Sequence, residues 1–254
     1  MPATFPSHAA AVVPLWLWRP RWFDLTALVI GSTTPDLAYV VVGLDRILRT
    51  HQPAALLWWC LPVGVVATLL TRWSVAGAAA HLPGLGPLAL RDYGVLGRVR
   101  PPWLVTVGSV LIGAVSHQFW DRFSHAYTPF AVAHRIGPLG EPWWQWVQWS
   151  STVLGALAVL GMLVHVGRRR LLVRVYGEAP AEAVRPRLFW TVTAAVLVPG
   201  VAATLPWLWD PTGTIVRWMV LLAAAPMAGA AAVRLAGPRS DPDHTVRTGE
   251  RVRL

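Results

Sequence analysis

Charged residues are scarce in this sequence, cysteine occurs once and lysine does not occur at all. Only 13% of the 254 residues are charged, whereas 55% are hydrophobic, 16 are Trp and the mean hydropathy is +0.48. Because a soluble domain carries about 25% charged residues, this composition predicts a protein with several membrane spans. The lone Cys60 excludes an intramolecular disulfide.

Several chemical signatures are also missing from the chain. A Gly-x-Gly-x-x-Gly phosphate fingerprint, a Gly-x-Ser-x-Gly turn and Cys-x-x-Cys pairs do not occur. Their absence argues against nucleotide binding, serine hydrolase chemistry and thiol redox chemistry. The net charge of +10 would suit nucleic acid, but no nucleic-acid-binding module accompanies it, so we expect no nucleic-acid partner.

Long apolar segments are what the chain does contain, and they predict an all-α, polytopic integral membrane helical bundle with six to seven membrane segments. Residues 1–235 would form a single transmembrane domain, and residues 236–254 a polar, disordered cytoplasmic tail. The stretch from Arg72 to Pro102, with His81, is expected to be a surface or re-entrant loop. The segments are Phe5–Trp18, Leu25–Gly43, Ala54–Thr71, Trp103–His117, Trp146–Gly167, Leu188–Trp209 and Thr214–Leu235.

The arginines lie mostly in loops on one side of these segments. With the polar tail in the cytoplasm, 17 of the 22 arginines fall on the cytoplasmic side and four outside, while Arg217 lies within the last span. Because cytoplasmic loops carry an excess of basic residues, we expect a multi-pass protein of the cell membrane with a cytoplasmic C-terminus. The use of Arg alone, with abundant Ala, Gly and Pro, fits a high-GC bacterial coding bias.

The first long span is interrupted by the residues from Gly31 to Asp36. Thr34 precedes a proline and is disfavoured in helical geometry, whereas Pro35 suits the first position of a new helix. We therefore predict a broken helix with Asp36 in the first turn of its second half. A carboxylate facing lipid costs about 2.5 to 3.5 kcal/mol, so Asp36 should face protein, water or an ion. Capping of the new helix is the alternative role.

Polar residues are concentrated between Ser116 and His125. His117, Asp121 and His125 are spaced i, i+4, i+8 and share one face of a helix. Imidazole and carboxylate are the usual ligands of zinc and related ions. The two histidines are about 12 Å apart along the axis, so one ion can take Asp121 with either histidine but hardly with both.

The depth of each segment places further residues beside this face. Asp36 lies in the outer half of its span and His117 at the outer end of another, so the two can meet. His8 joins them if the N-terminus is outside, which makes Phe5–Trp18 a short first crossing of about 21 Å and gives seven segments. With six segments and a cytoplasmic N-terminus, His8 lies away from the site.

Four blocks of sequence together resemble the uncharacterised bacterial membrane-protein family catalogued as domain of unknown function 4184. They come in family order across the first two thirds of the chain. More distantly, the His, Pro-Asp and His-x-x-x-Asp elements are similar to membrane-bound metal-dependent hydrolases and to zinc-dependent phospholipases C. The blocks are Met1–His8, Gly31–Asp36, Ser116–His125 and Gln148–Gly155.

The resemblance implies a metal site, with a divalent ion such as zinc, held by His8, Asp36, His117, Asp121 and His125. Asp36 and Asp121 are then the catalytic candidates. The chain departs from the phospholipases, because no second His-x-x-x-Glu pair occurs: His165 is followed four residues on by Arg169, and no amino-terminal Trp is present. A three-metal cluster is therefore not expected.

Three functions remain open from the sequence. The first is a membrane hydrolase that acts with a divalent metal on a phosphoester or lipid headgroup at the outer face. The second is a non-enzymatic carrier or structural membrane protein in which the broken helix and the His/Asp cluster hold a substrate or ion. In the third, the polar residues only join helices through hydrogen bonds. Membrane lipid is the expected surrounding partner in all three.

Overall fold

The computed structural model describes residues 5–126, 128–133, 137, 140–177 and 183–237. The described part of the chain is 80% helical and contains no strands, which confirms the predicted all-α class. Of the predicted tail, 236–254, the residues from 238 onward lie outside the described part of the chain. The α-helices are α1 Phe5–Trp18, α2 Leu25–Gly31, α3 Leu44–Leu48, α4 Leu61–His81, α5 Trp103–Ser124, α6 Pro129–Ala133, α7 Trp143–Arg168, α8 Leu171–Tyr176, α9 Pro186–Thr204 and α10 Pro211–Leu235.

Five helical segments of the described chain are long and apolar enough to cross a membrane. Their apolar residues face outward, since at most a third of the most apolar stretch of each segment is buried in the protein. Helices of this kind are typical of a bundle that borders lipid. The segments are Leu56–His81, Trp103–Ala131, Trp143–Arg168, Pro186–Trp207 and Pro211–Leu235.

The predicted boundary at Thr71 is wrong, because α4 continues for ten residues to His81. Arg72, with which the predicted loop begins, is instead buried and paired with Asp24. His81 is likewise not a loop residue. It is the last residue of α4, is buried, and stacks on Phe189 with a ring-centroid separation of 4.1 Å.

The interruption of the first long segment is present in the structure. Asp24 caps the N-terminus of α2 by accepting a hydrogen bond from Ala27 N, and α2 ends at Gly31. A 3-10 helix, Thr34–Val40, follows with Pro35 near its start and Asp36 in its first turn. The break therefore turns the Asp36 carboxylate away from the line of α2 and into the bundle.

Glycines allow α2 and α5 to approach closely. A Cβ on Gly31 would collide with the backbone of Val110, and a Cβ on Gly113 would lie 2.6 Å from Ser32 N. Contacts between small residues of this kind let membrane helices pack backbone to backbone. Here the close approach brings the end of α2 against the polar face of α5.

The helix α1 is fixed by contacts at both of its ends. At one end a Cβ on Gly155 of α7 would lie 2.6 Å from Ser7 Cα, so α1 and α7 touch through their backbones. At the other end Trp16 Nε1 donates a hydrogen bond to the hydroxyl of Tyr176 in α8 at 2.8 Å. Burial raises the pKa of that hydroxyl, which stays protonated and donates to Pro20 O.

A buried ion pair joins α2, α4 and α5, which are far apart in the sequence. Asp24 pairs with Arg72 of α4 and also accepts a hydrogen bond from Thr106 Oγ1 of α5 at 2.9 Å. The backbone N–H of Asp24 donates to Ser109 Oγ at 3.0 Å. We refer to these four residues as the Asp24–Arg72 tie.

The hairpin of α9 and α10 contacts the broken segment through one buried arginine. Arg217 of α10 donates from Nε to Val40 O at 3.1 Å and from Nη2 to Tyr39 O at 3.3 Å. These carbonyls end the 3-10 helix, where backbone acceptors lack partners within the helix. Arg217 also pairs with Asp210, the N-cap of α10, at 3.3 Å.

Candidate metal centre

Four side chains from three separate parts of the chain converge at one place. Asp36 comes from the 3-10 helix, His51 from the turn before α4, and His117 and Asp121 from consecutive turns of α5. One potential ligand atom of each side chain lies within 4.8 Å of those of the others. We call these four residues the His/Asp centre.

His117 is held by a hydrogen bond that decides which of its ring nitrogens carries the proton. Its Nδ1 lies 2.7 Å from the backbone oxygen of Ser32. A carbonyl oxygen can only accept, so Nδ1 carries the hydrogen and the Nε2 of a neutral ring presents its lone pair. Histidines that bind metals are usually oriented in this way by a carbonyl or carboxylate on the second nitrogen.

The lone pair of His117 Nε2 is directed toward acceptors. The atom lies 3.1 Å from Asp121 Oδ2 and 3.5 Å from Asp36 Oδ1, yet it is buried and has no aligned hydrogen-bond partner among the described residues. If Nε2 carries no proton, its lone pair and the two carboxylate oxygens repel each other in a medium of low polarity, and a positive charge between them, whether a proton or a metal ion, removes that repulsion. The centre therefore has the donor set and the electrostatic need for a cation.

The separations around the centre also suit coordination. His51 Nε2 is 3.0 Å from Asp36 Oδ1 and 3.5 Å from Asp121 Oδ2. Ligands of a tetrahedral ion with bonds of about 2.0 to 2.1 Å lie about 3.3 to 3.4 Å from one another. The four imidazole–carboxylate distances bracket this value, and all four ligand atoms lie within 4.8 Å of one another, so side-chain adjustments can bring them to one ion.

His51 is positioned by the turn that carries it. Gln118, one residue after His117 on α5, donates hydrogen bonds from Nε2 to Thr50 O and to Gln52 O, both at 3.2 Å. The two carbonyls flank His51, so α5 fixes the turn from both sides. The Tyr39 ring also lies against the His51 ring, with a centroid separation of 5.8 Å.

His8 and His125 lie beside the four central residues. The His8 ring stacks on the His117 ring with centroids 3.8 Å apart, and His8 Nε2 is 3.5 Å from Asp121 Oδ1. His125 follows the last residue of α5, and its Nδ1 is also 3.5 Å from Asp121 Oδ1. The other four residues predicted as ligands thus lie around the carboxylate of Asp121, and the structure adds His51.

The centre is buried on one side and open on the other. The side chains of His8 and His117 are 1% and 0% exposed, whereas those of His51 and His125 are 30% and 31% exposed. A small molecule would therefore reach the centre between His51 and His125. Asp36 and Asp121 lie just inside this opening, with 14% and 11% of their side chains exposed.

The sequence interpretation missed His51 because no periodic pattern includes it. The residue lies in an irregular turn, Arg49–Pro53, where a single histidine is usually a solvated surface residue. One feature of the sequence could have indicated where His51 lies. The turn lies between the broken segment and the next span, so span counting puts His51 at the same end of the bundle as Asp36.

Comparison with known proteins identifies a family. The profile of a family described as domain of unknown function (DUF4184) matches residues 1–235. No curated protein and no solved structure matches the chain. The matched range includes every residue of the His/Asp centre together with His8 and His125.

Proposed function

Because this chain belongs to the family called domain of unknown function 4184, we propose its function from the His/Asp centre: an integral membrane hydrolase that uses a divalent metal ion, with zinc as the first candidate, on a phosphoester or lipid headgroup. The observation that carries the proposal is the buried Nε2 of His117. This lone pair faces two carboxylates and has no hydrogen-bond partner in the described chain. A divalent cation is the species that such a donor set binds best.

The ligands of the proposed ion are Asp36 Oδ1, His51 Nε2, His117 Nε2 and Asp121 Oδ2. When bound, the ion would polarise a phosphoryl oxygen and lower the pKa of a water molecule toward neutrality. The hydrogen bond from Nδ1 to Ser32 O keeps His117 in the ligating tautomer. Gln118 keeps His51 at the opening, where substrate would enter.

The proposed reaction is hydrolysis. The oxygen of water forms a bond to phosphorus, and the phosphorus–oxygen bond to the alcohol breaks. The Asp36 oxygen that the ion does not engage accepts one proton from the attacking water. The resulting carboxylic acid gives this proton to the departing alkoxide, so that an alcohol and a phosphate are the products.

The side of the membrane on which this occurs is part of the proposal. The end of the bundle with the centre carries few arginines, and most arginines lie at the other end or in the tail. Because basic loops mark the cytoplasmic side, the centre would face outward and the C-terminus would be cytoplasmic. Membrane lipid headgroups on that face are the substrates within reach.

The first test is the metal content of the full chain, purified in detergent without a metal-binding tag and measured by mass spectrometry. We expect at least one zinc or manganese ion per chain in the wild type, and loss of ion in both His117→Ala and Asp36→Ala. His165→Ala is the matched control, because His165 is an exposed histidine near the end of α7 and outside the centre. A folded wild type that takes up no ion after zinc or manganese is supplied would overturn the proposal.

The second test is turnover. The metal-loaded protein should hydrolyse p-nitrophenyl phosphate, bis(p-nitrophenyl) phosphate or phosphatidylglycerol in mixed micelles. Asp121→Asn should abolish turnover while the protein remains folded. If the ion is bound but none of the three probes is cleaved, the hydrolase proposal fails and the carrier remains.

A cation carrier is the second candidate, because the segment that supplies Asp36 is a broken helix between α2 and the 3-10 helix. Broken helices supply ion and substrate sites in many transporters. A carrier predicts zinc flux into proteoliposomes that His117→Ala removes, without chemical change of any substrate. A purely structural role instead predicts that the same substitution lowers thermal stability while the wild type binds no ion.

A further inference from the structure

The two oxygens of Asp121 face different histidines. Oδ2 lies 3.1 Å from His117 Nε2 and 3.5 Å from His51 Nε2. Oδ1 lies 3.5 Å from His8 Nε2 and 3.5 Å from His125 Nδ1. The carboxylate therefore separates two pairs of nitrogen atoms, and only the first pair belongs to the His/Asp centre.

Helix geometry prevents one ion from serving both sides. His117 and His125 are eight residues apart on α5 and its C-cap, which is about 12 Å along the axis, with Asp121 halfway between them. A histidine and a carboxylate one turn apart can share an ion, whereas histidines two turns apart cannot. Within α5 and its C-cap, the spacing gives each Asp121 oxygen one histidine neighbour, His117 for Oδ2 and His125 for Oδ1.

Oδ1 of Asp121 lacks the partner that a buried carboxylate oxygen requires. It is buried and accepts no hydrogen bond in the described part of the chain. The 3.5 Å separations to His8 and His125 are too long for good hydrogen bonds but close to the distance between two ligands of one ion. Without a positive charge nearby, a buried oxygen of this kind is costly.

We propose that a second divalent cation binds at Asp121 Oδ1, with His8 Nε2 and His125 Nδ1 as its nitrogen ligands. The inference rests on the proposed function, because the first ion occupies the Oδ2 side. Asp121 would bridge the two ions, and the pair would bind the oxygens of one phosphate group between His51 and His125. Two neighbouring ions of this kind stabilise the attacking and leaving oxygens of a phosphoryl transfer.

The two positions should differ in affinity. The first has four protein ligands, including the fully buried His117, whereas the second has three, and His125 is 31% exposed at the end of α5. We expect the second ion to bind more weakly and to exchange first on dilution or mild chelation. Bridging substrate phosphate should tighten it.

The test uses the full-length protein in detergent, freed of metal and titrated with manganese alone. Bound ions are counted by mass spectrometry after removal of free metal, and their proximity is read by electron paramagnetic resonance. We expect two ions per wild-type chain with the multiline signal of a coupled pair. His125→Ala should retain one ion and give the six-line signal of isolated manganese.

His8→Gln is the second variant, because it removes a ligand from α1 instead of α5 and should give the same change from two ions to one. His165→Ala should keep two ions and the coupled signal. A wild type that saturates at one ion, with His125→Ala unchanged in stoichiometry, would overturn the second position and leave the hydrolase proposal standing. A wild type that binds no ion would overturn both.

Discussion

Two buried polar clusters lie at the two ends of α2, and they are built on opposite principles. In the Asp24–Arg72 tie a carboxylate meets a guanidinium, both Asp24 oxygens accept hydrogen bonds from protein donors, and the atom without a partner in the described chain is a donor, Arg72 Nε. In the His/Asp centre two carboxylates meet histidines, and the buried atoms His117 Nε2 and Asp121 Oδ1 lack hydrogen-bond partners in the described chain. The tie contains its own cation, the Arg72 guanidinium, whereas the centre contains groups that can bind a cation.

The difference between the two clusters distinguishes buried polar residues that hold helices together from buried polar residues that can bind a ligand. Buried charges are costly in both clusters, and both lie among helices that are long and apolar enough to cross a membrane. A cation can bind only where several hydrogen-bond acceptors face one another without a protein donor between them and where the site is open to the exterior. Burial of a polar residue is therefore a weak sign of function, and an unmatched set of acceptors is a stronger one.

The largest effect should come from breaking the tie. Arg72→Ala leaves Asp24 buried without its counter-ion and should lower the free energy of unfolding by about 3 to 5 kcal/mol. The measurement is unfolding in mixed micelles by titration with sodium dodecyl sulfate. The double variant Asp24→Asn with Arg72→Met should regain most of that loss, because it removes both charges and keeps the N-cap of α2. Equal stability of the single and double variants would contradict this account.

The next largest change in the free energy of unfolding should come from binding of zinc to the His/Asp centre. Zinc at about 100 times its dissociation constant should raise the free energy of unfolding of the wild type by about 2.7 kcal/mol, since the ion binds the folded state. His117→Ala should lose this increment, and the double variant of the tie should keep it. Stabilisation by zinc that survives in His117→Ala would place the ion elsewhere.

A smaller effect should follow from separating α2 from α5. Gly113→Ala puts a methyl group 2.6 Å from Ser32 N and should cost about 1 to 3 kcal/mol of stability. It should also weaken zinc binding, because the carbonyl of Ser32 moves away from His117. Gly108→Ala on the same helix is the matched control, since nothing lies within 4 Å of its added Cβ. Calorimetric zinc titration of the two variants would show whether the effects are linked.

The smallest effect should come from Gln118→Ala. Loss of the two hydrogen bonds to the His51 turn should weaken zinc binding about 10-fold, or about 1.4 kcal/mol, with little change in unfolding of the metal-free protein. Gln118→Glu should not restore affinity, because a carboxylate cannot donate to the two carbonyls. An unchanged zinc affinity in Gln118→Ala would show that the turn needs no support from α5.

The site residues that follow from a local sequence pattern could be predicted from the sequence. The helical spacing of His117, Asp121 and His125 and the break before Asp36 both follow from rules that act over a few residues. The end of α4 could not be predicted from the sequence, because the partner that allows Arg72 to be buried is 48 residues away. His51 was missed for the same reason: its place depends on how the turn folds back onto Gln118, and no local periodicity encodes that contact.

A ribosome making this chain completes all the ligands by His125, about thirty residues before Gly155 of α7 emerges. The backbone contact between Ser7 and Gly155, which fixes α1 against α7, can form only after that glycine has been made. An ion arriving earlier would find the ligands of α5, the 3-10 helix and the His51 turn, but not a His8 fixed by α7. Retention of the full complement of metal would then report that the later helices have been inserted and have closed around the earlier ones.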